Sequence, residues 1–203
     1  MVMQSAGISS RMKRKFKITT HSHHTFPKAE NLLKQNFSSE KPNGTWVSDI
    51  TYIWTPEGWL YLAVILDLFS RYVVGWALSR PVGMHNSLVL QAFEQAIRKR
   101  EVKPGCIFHS DQGIQYAGEN VKERFNQYGF IQSMSSKGNC YDNAVTESFF
   151  HSLKTEWVYF EKYQTKEQAK LSIFEYIELF YNRQRKHSSL NYLSPVEYER
   201  VHS

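Results

Sequence analysis

The sequence predicts an α/β fold in which three antiparallel strands lead into two βαβ crossover units, with helices flanking the mixed sheet and continuing to the C-terminus. Two observations carry this. Three strand-like runs at 45–54, 59–69 and 71–79 are joined only by Thr55-Pro56-Glu57-Gly58 and Ser70-Arg71, connections so short that neighbouring runs must pair antiparallel. Beyond them, helix-period and strand-like segments alternate, the order that builds parallel strands.

The first run, in TWVSDITYIW, is rich in β-branched and aromatic residues that suit a pleated surface. The stretch 87–100 then places Val89, Ala92, Phe93, Ala96 and Ile97 on one helical face. An apolar run at 105–110 reads as the fourth strand, 118–128 as a helix and 130–134 as a fifth strand. The remainder reads as helices. One begins at Thr165, where Gln168 three residues later completes a capping box. Another follows Asp142 or Asn143, either of which suits an N-cap. On that helix Val145, Phe149, Leu153 and Trp157 form an apolar stripe, and Glu147, His151 and Lys154 cluster about 140° away from its centre.

Composition bounds the class. The chain has 203 residues, 41% of them hydrophobic, enough to bury a substantial core. A division is expected near residue 41, with a basic arm or linker over 1–40 and a core with C-terminal helices over 41–203. The arm holds Arg11, Lys13, Arg14, Lys15 and Lys17, and the net charge of +6 points to a polyanionic partner. Only Cys106 and Cys140 are present, so a disulfide framework is not expected and a reducing cytoplasm fits. No apolar run reaches the roughly 18 residues needed to span a bilayer, so no membrane partner is expected.

Three acids organise the rest. Asp49 lies in the first strand, Asp111 at the carboxyl end of the fourth, where open α/β sheets place their ligands, and Glu147 on a helix able to face that sheet end. The last two are separated by 35 residues, as in the two-metal sites of DDE polynucleotidyl transferases. Carboxylates that converge repel one another and raise each other's pKa unless cations neutralise them. Oxygen ligands suit Mg²⁺, and two such ions can activate an attacking oxygen and stabilise a leaving one in phosphoryl transfer.

The strings WVSDITYIWTPEGWLYLAVILDLFSRYVVGW, HSDQGIQY, GNCYDNAVTESFFHSLKTE and YNRQRKHSSLNYLSPVEY resemble the catalytic region of the OrfB-type insertion-sequence transposases, relatives of retroviral integrases with an RNase H-like fold. The resemblance runs from about Asn31 to Tyr198. It implies that Asp49, Asp111 and Glu147 are catalytic and bind two Mg²⁺ ions, with Mn²⁺ as a substitute, and that Lys154 contacts DNA near the reacting phosphate. It also implies DNA cleavage at element ends, strand transfer into a target duplex, and a homo-oligomer assembled on DNA in the bacterial cytoplasm or nucleoid. It does not extend to the helix-turn-helix region such transposases usually carry ahead of this core, so recognition of terminal repeats is not implied. Two other classes share these residues: an RNase H-like nuclease without strand transfer, and a truncated, non-catalytic DNA-binding or inhibitory remnant.

Other residues carry competing roles. Asp67, at a strand end, is expected to shape a turn and stays outside the site. His109 shares a strand side with Asp111, and with Asn143 and His151 it is expected to orient the acids from behind. Gln112, Gly113 and Tyr116 are expected to form the loop after the fourth strand. His21, His23 and His24 have no CxxC partner and read as a polar loop, not a zinc site. Arg183, Arg185 and Lys186 are candidate phosphate contacts, although basic groups also favour a helix C-terminus for electrostatic reasons alone.

Overall fold

The computed structural model describes residues 28–79, 85–136 and 140–202, so the basic cluster Arg11 to Lys17 and the histidines at 21, 23 and 24 lie outside the described residues. Strands β1 (Thr45–Thr55), β2 (Gly58–Asp67) and β3 (Val73–Ser79) form the expected antiparallel meander. Helix α1 (His85–Lys99) crosses to β4 (Ile107–Ser110), and α2 (Ile114–Ala117) with α3 (Glu119–Gln127) crosses to β5 (Ile131–Met134). The sheet order is β3-β2-β1-β4-β5, with β4 parallel to both β1 and β5. The C-terminal half contributes α4 (Ala144–Glu156), α5 (Lys166–Phe174), a π-helical continuation at Glu175–Tyr181, and α6 (Pro195–His202).

Alternation along the strands splits the core in two. Trp46, Ala63, Ile65 and Val74 face α1, α2 and α3, whereas Val47, Leu62, Val64 and Leu66 face α4, α5 and the π-helical segment. Around Phe93 the first cluster packs Phe108, Phe125 and Phe130 in tilted and edge-on contacts with centroids 5–6 Å apart, a favoured geometry for aromatic rings. Gly75 sets how closely α1 approaches β3: a Cβ there would stand 2.2 Å from the Ala92 carbonyl oxygen and 2.8 Å from the Ala96 methyl.

Departures from expectation have physical causes. Residues 28–37, assigned to the arm, lie against the core, because Leu33 is buried and the Leu32 amide donates to Ser133 Oγ at 2.9 Å. The loop after β4 contains the helical turn α2, drawn inward by Tyr116, which is fully buried. Strand β2 ends at Asp67 because its buried carboxylate accepts the Asn43 and Phe69 amides at 2.7 and 3.0 Å, the turn-forming role expected of it. At α5 the Thr165 hydroxyl accepts the Gln168 amide as in a capping box, but the Gln168 side chain returns to the Gln164 amide, one residue further out.

Candidate catalytic site

Strand register brings the first two acids together. β1 and β4 pair in parallel from Thr45 with Ile107 through Ser48 with Ser110. Asp49 and Asp111 therefore leave the ladder side by side on strands about 4.8 Å apart. Asp49 is half-buried and its carboxylate accepts the Ile50 amide at 2.7 Å. Asp111 accepts the Gly113 amide at 2.9 Å, which turns the chain into α2. Helix α4 packs on β1 and carries Glu147 in its exposed first turn.

The electrostatics follow. Burial first, then repulsion from Asp111 and more weakly from Glu147, pushes the Asp49 carboxyl well above the usual range, against hydrogen bonds from the Ile50 amide and the Asn143 side chain. Burial also raises Glu147. Beneath the pair, the Tyr116 hydroxyl lies 3.0 Å from Ser48 Oγ, its own pKa raised by burial and by both aspartates. The acids influence one another without forming a closed cage. Among the described residues, no group of three His, Cys, Asp or Glu side chains stands close enough to hold a metal ion.

The residues expected behind the acids divide. His109 is fully buried, and burial disfavours its charged form and holds its pKa down. Its Nε2 lies 3.1 Å from the Asp142 carbonyl, which can only accept, so Nε2 carries the proton and Nδ1 accepts from Ser133 Oγ at 2.9 Å. The chain of bonds runs from the Leu32 amide through Ser133 and His109 to the residue before the α4 cap. Asp142 is also tied by Asn31 Nδ2 at 2.9 Å and the Ser136 amide at 2.8 Å. Asn143 occupies the N-cap position, but its side chain makes no cap bond: Oδ1 accepts the Thr146 hydroxyl at 2.5 Å, and the side chain bonds Asp49. His151 is exposed one turn beyond Glu147.

Lys154 is not simply a solvated surface lysine. Its Nζ sits over the Tyr52 ring at 5.3 Å from the centroid, and burial lowers its pKa while Asp49 raises it. The second basic group stands elsewhere: Arg185 forms two hydrogen bonds to Glu156, Lys186 pairs with Glu197 at 2.6 Å, and Arg183 donates to the Glu178 carbonyl. Sequence reasoning overlooked Asn31, Tyr52 and the buried role of Tyr116. The alternation of β1 shows only that Tyr52 and Asp49 point to opposite faces, and the reach of Lys154 around the strand edge needs three dimensions.

The model of the integrase core domain family matches residues 39–140, and a second model with the same description matches 147–202. The chain belongs to this family. The core is 42% identical over 197 residues to the transposase InsF for insertion sequence IS3A of Escherichia coli (strain K12), covering 97% of this chain and 68% of that protein. It is 44% identical over 193 residues to the insertion element IS600 uncharacterized 31 kDa protein of Shigella sonnei, covering 95% of this chain and 70% of that protein. An insertion-sequence transposase with an integrase-like core is therefore the identity the relatives support, within the class of proteins of DNA transposition and integration. Solved structures agree on the RNase H-like fold. The HTLV-2 integrase catalytic core domain in complex with magnesium superposes with a TM-score of 0.54 at 16% identity, covering 78% of this chain and 97% of that chain. A chain of a simian T-cell lymphotropic virus intasome superposes with a TM-score of 0.63 at 12% identity, covering 89% of this chain and 60% of that chain. No helix of the described residues is long and apolar enough to cross a membrane.

Proposed function

We propose that Asp49, Asp111 and Glu147 are the metal-binding acids of a DDE transposase core that cuts DNA at the ends of its element and joins the freed 3′-hydroxyl to a target phosphodiester. One observation carries the reading: Asp49 and Asp111 follow directly on the last pair of the parallel β1–β4 ladder, and the helix that bears Glu147 in its first turn packs on β1. The donor set fits divalent Mg²⁺ or Mn²⁺, since it offers hard carboxylate oxygens whose mutual repulsion, visible at Asp49, a cation would relieve. When bound, two such ions would supply Lewis-acid polarisation of the scissile phosphate and of the attacking and leaving oxygens.

The chain's own residues do the remaining work. Asp49 and Asp111 are fixed by strand register and by backbone amides, whereas Glu147 closes from the helix side. His109 holds the backbone at Asp142 and so sets where α4 begins. Lys154, beside Asp49, orients a DNA phosphate without entering the metal shell, since it lies two helical turns, about 10.5 Å, beyond Glu147. The basic arm adds phosphate contacts through Arg11, Lys13, Arg14, Lys15 and Lys17, and the protein works as an oligomer on DNA in the bacterial cytoplasm. The magnesium complex of the HTLV-2 core and the simian virus intasome, both of this fold, support the choice of ion and of assembly.

The test is Mg²⁺-dependent nicking and strand joining with labelled element ends. Asp111→Asn should abolish both while circular dichroism and melting temperature stay near wild type, because neutralising one of three clustered acids relieves repulsion. Substantial nicking by the purified variant would refute the assignment.

A further inference from the structure

An open cleft of about 520 Å³ lies on the flank of α4 away from Glu147, between the β2–β3 turn and the segment 185–192 that follows the π-helical turns. Three cations line it: Arg71, Arg185 and Lys186. Glu156 neutralises Arg185 and Glu197 neutralises Lys186. Arg71 differs. Its Nη2 donates to the Phe37 carbonyl at 2.9 Å, it forms no ion pair among the described residues, and its Nη1 is buried without a hydrogen-bond partner.

His187 supplies a second unmatched donor. The Arg185 guanidinium, which can only donate, lies 3.5 Å from Nδ1, so Nδ1 is the acceptor and Nε2 carries the proton. That Nε2 is also buried without a partner. Unsatisfied buried polar groups are uncommon in folded proteins and each asks for an explanation. The cleft lining also includes Ser148, Ser188 and Ser189 and the first two residues of α4. Unmatched N–H groups and a guanidinium without a direct carboxylate partner favour an anion.

We propose that this cleft is a phosphate site, and that a DNA backbone phosphodiester occupies it, with Arg71 Nη1 and His187 Nε2 turning from the cleft wall to donate to it. The assignment of DNA rests on the transposase reading above. It gives the HSSL motif at 187–190 a role that the acids leave unassigned, and it places a second DNA contact across α4 from the catalytic acids.

The experiment measures duplex DNA affinity against salt, without divalent metal, for the full chain, Arg71→Gln and Ser189→Glu. Ser189 is exposed at the cleft lip, so the glutamate adds a repelling charge with little demand on the fold. One lost phosphate contact should lower the slope of log affinity against log salt by about 0.9. Inorganic phosphate, added to the wild type, should shift the His187 imidazole resonances and leave them unmoved in Ser189→Glu. An unchanged salt slope in a folded Ser189→Glu overturns the proposal, as does a His187 signal indifferent to phosphate. Because no metal or catalysis is involved, the outcome separates from that of Asp111→Asn. A cleft that fails while Asp111→Asn abolishes nicking leaves the catalytic reading standing, and the converse leaves only the phosphate site.

Discussion

Replacing His109 by glutamine or asparagine divides its two hydrogen bonds between two variants. A glutamine amide reaches roughly the position of Nε2 and can still donate to the Asp142 carbonyl, whereas asparagine ends near Nδ1 and keeps only the Ser133 contact. Each variant loses one buried hydrogen bond and leaves one group short of a partner, which costs about 1–3 kcal/mol. Urea unfolding should therefore find both destabilised by similar amounts. Activity should not follow stability. In His109→Asn the deficit falls at Asp142, next to the start of α4. The remaining ties from Asn31 and Ser136 limit the loosening. If 1–2 kcal/mol is drawn from the population with α4 correctly seated, nicking falls roughly 5- to 30-fold. In His109→Gln the deficit falls at Ser133, behind the site, and nicking stays within a few-fold of wild type. Equal nicking by the two variants at matched stability, or a glutamine variant worse than the asparagine one, would refute the claim that His109 acts through the Asp142 carbonyl.

Lys154→Ala should weaken end-DNA binding and strand joining while Mn²⁺ affinity stays near wild type, whereas Glu147→Gln should lower Mn²⁺ affinity and abolish joining while metal-free DNA binding stays near wild type; calorimetric Mn²⁺ titration beside DNA binding decides between them. His187, pushed down to about 4 by burial and by Arg185 and Arg71, resists protonation in the fold, so it costs nothing above its ordinary pKa near 6.5 and destabilises as pH falls toward 4. The unscreened ceiling of about 3 kcal/mol shrinks to about 1–2 with partial exposure, so wild type and His187→Gln should diverge in urea midpoint only below pH 6.5. Gly75→Ala places a methyl against the Ala92 carbonyl and should cost about 3 kcal/mol or more, read as a lower melting temperature.

The strand order was legible because each of the first three runs is long, β-branched and bounded by a short turn, and local signals of that kind survive without tertiary context. The placement of Asp49 within the first strand and of Asp111 just past the end of the fourth was legible with it, since strand ends are where such sheets hold ligands. The helix at 114–117 was not legible: a four-residue turn has too little periodicity to detect, and it exists because the Tyr116 ring needs burial under β1. The docking of Leu33 was equally hidden, because one apolar residue in a polar stretch carries no period. The ion pairs of the basic residues were hidden as well. Arg185 and Lys186 look like free cations in sequence, yet their neutralising partners Glu156 and Glu197 lie 29 and 11 residues away.

The three acids differ in how firmly they are held. Asp49 and Asp111 sit at the end of one hydrogen-bonded ladder, so neither can shift along its strand without breaking bonds in the centre of the sheet. Glu147 stands on a helix whose entry depends on a few side-chain bonds around Asp142. The site is thus a fixed jaw and an adjustable one. A ligand that draws Glu147 inward must do its work against that short hinge and not against the sheet, so binding should register as slower amide exchange around residues 142–147 while β1 and β4 exchange as before. Tuning the hinge alone would then alter how readily the site closes without moving the pair of aspartates on which it closes.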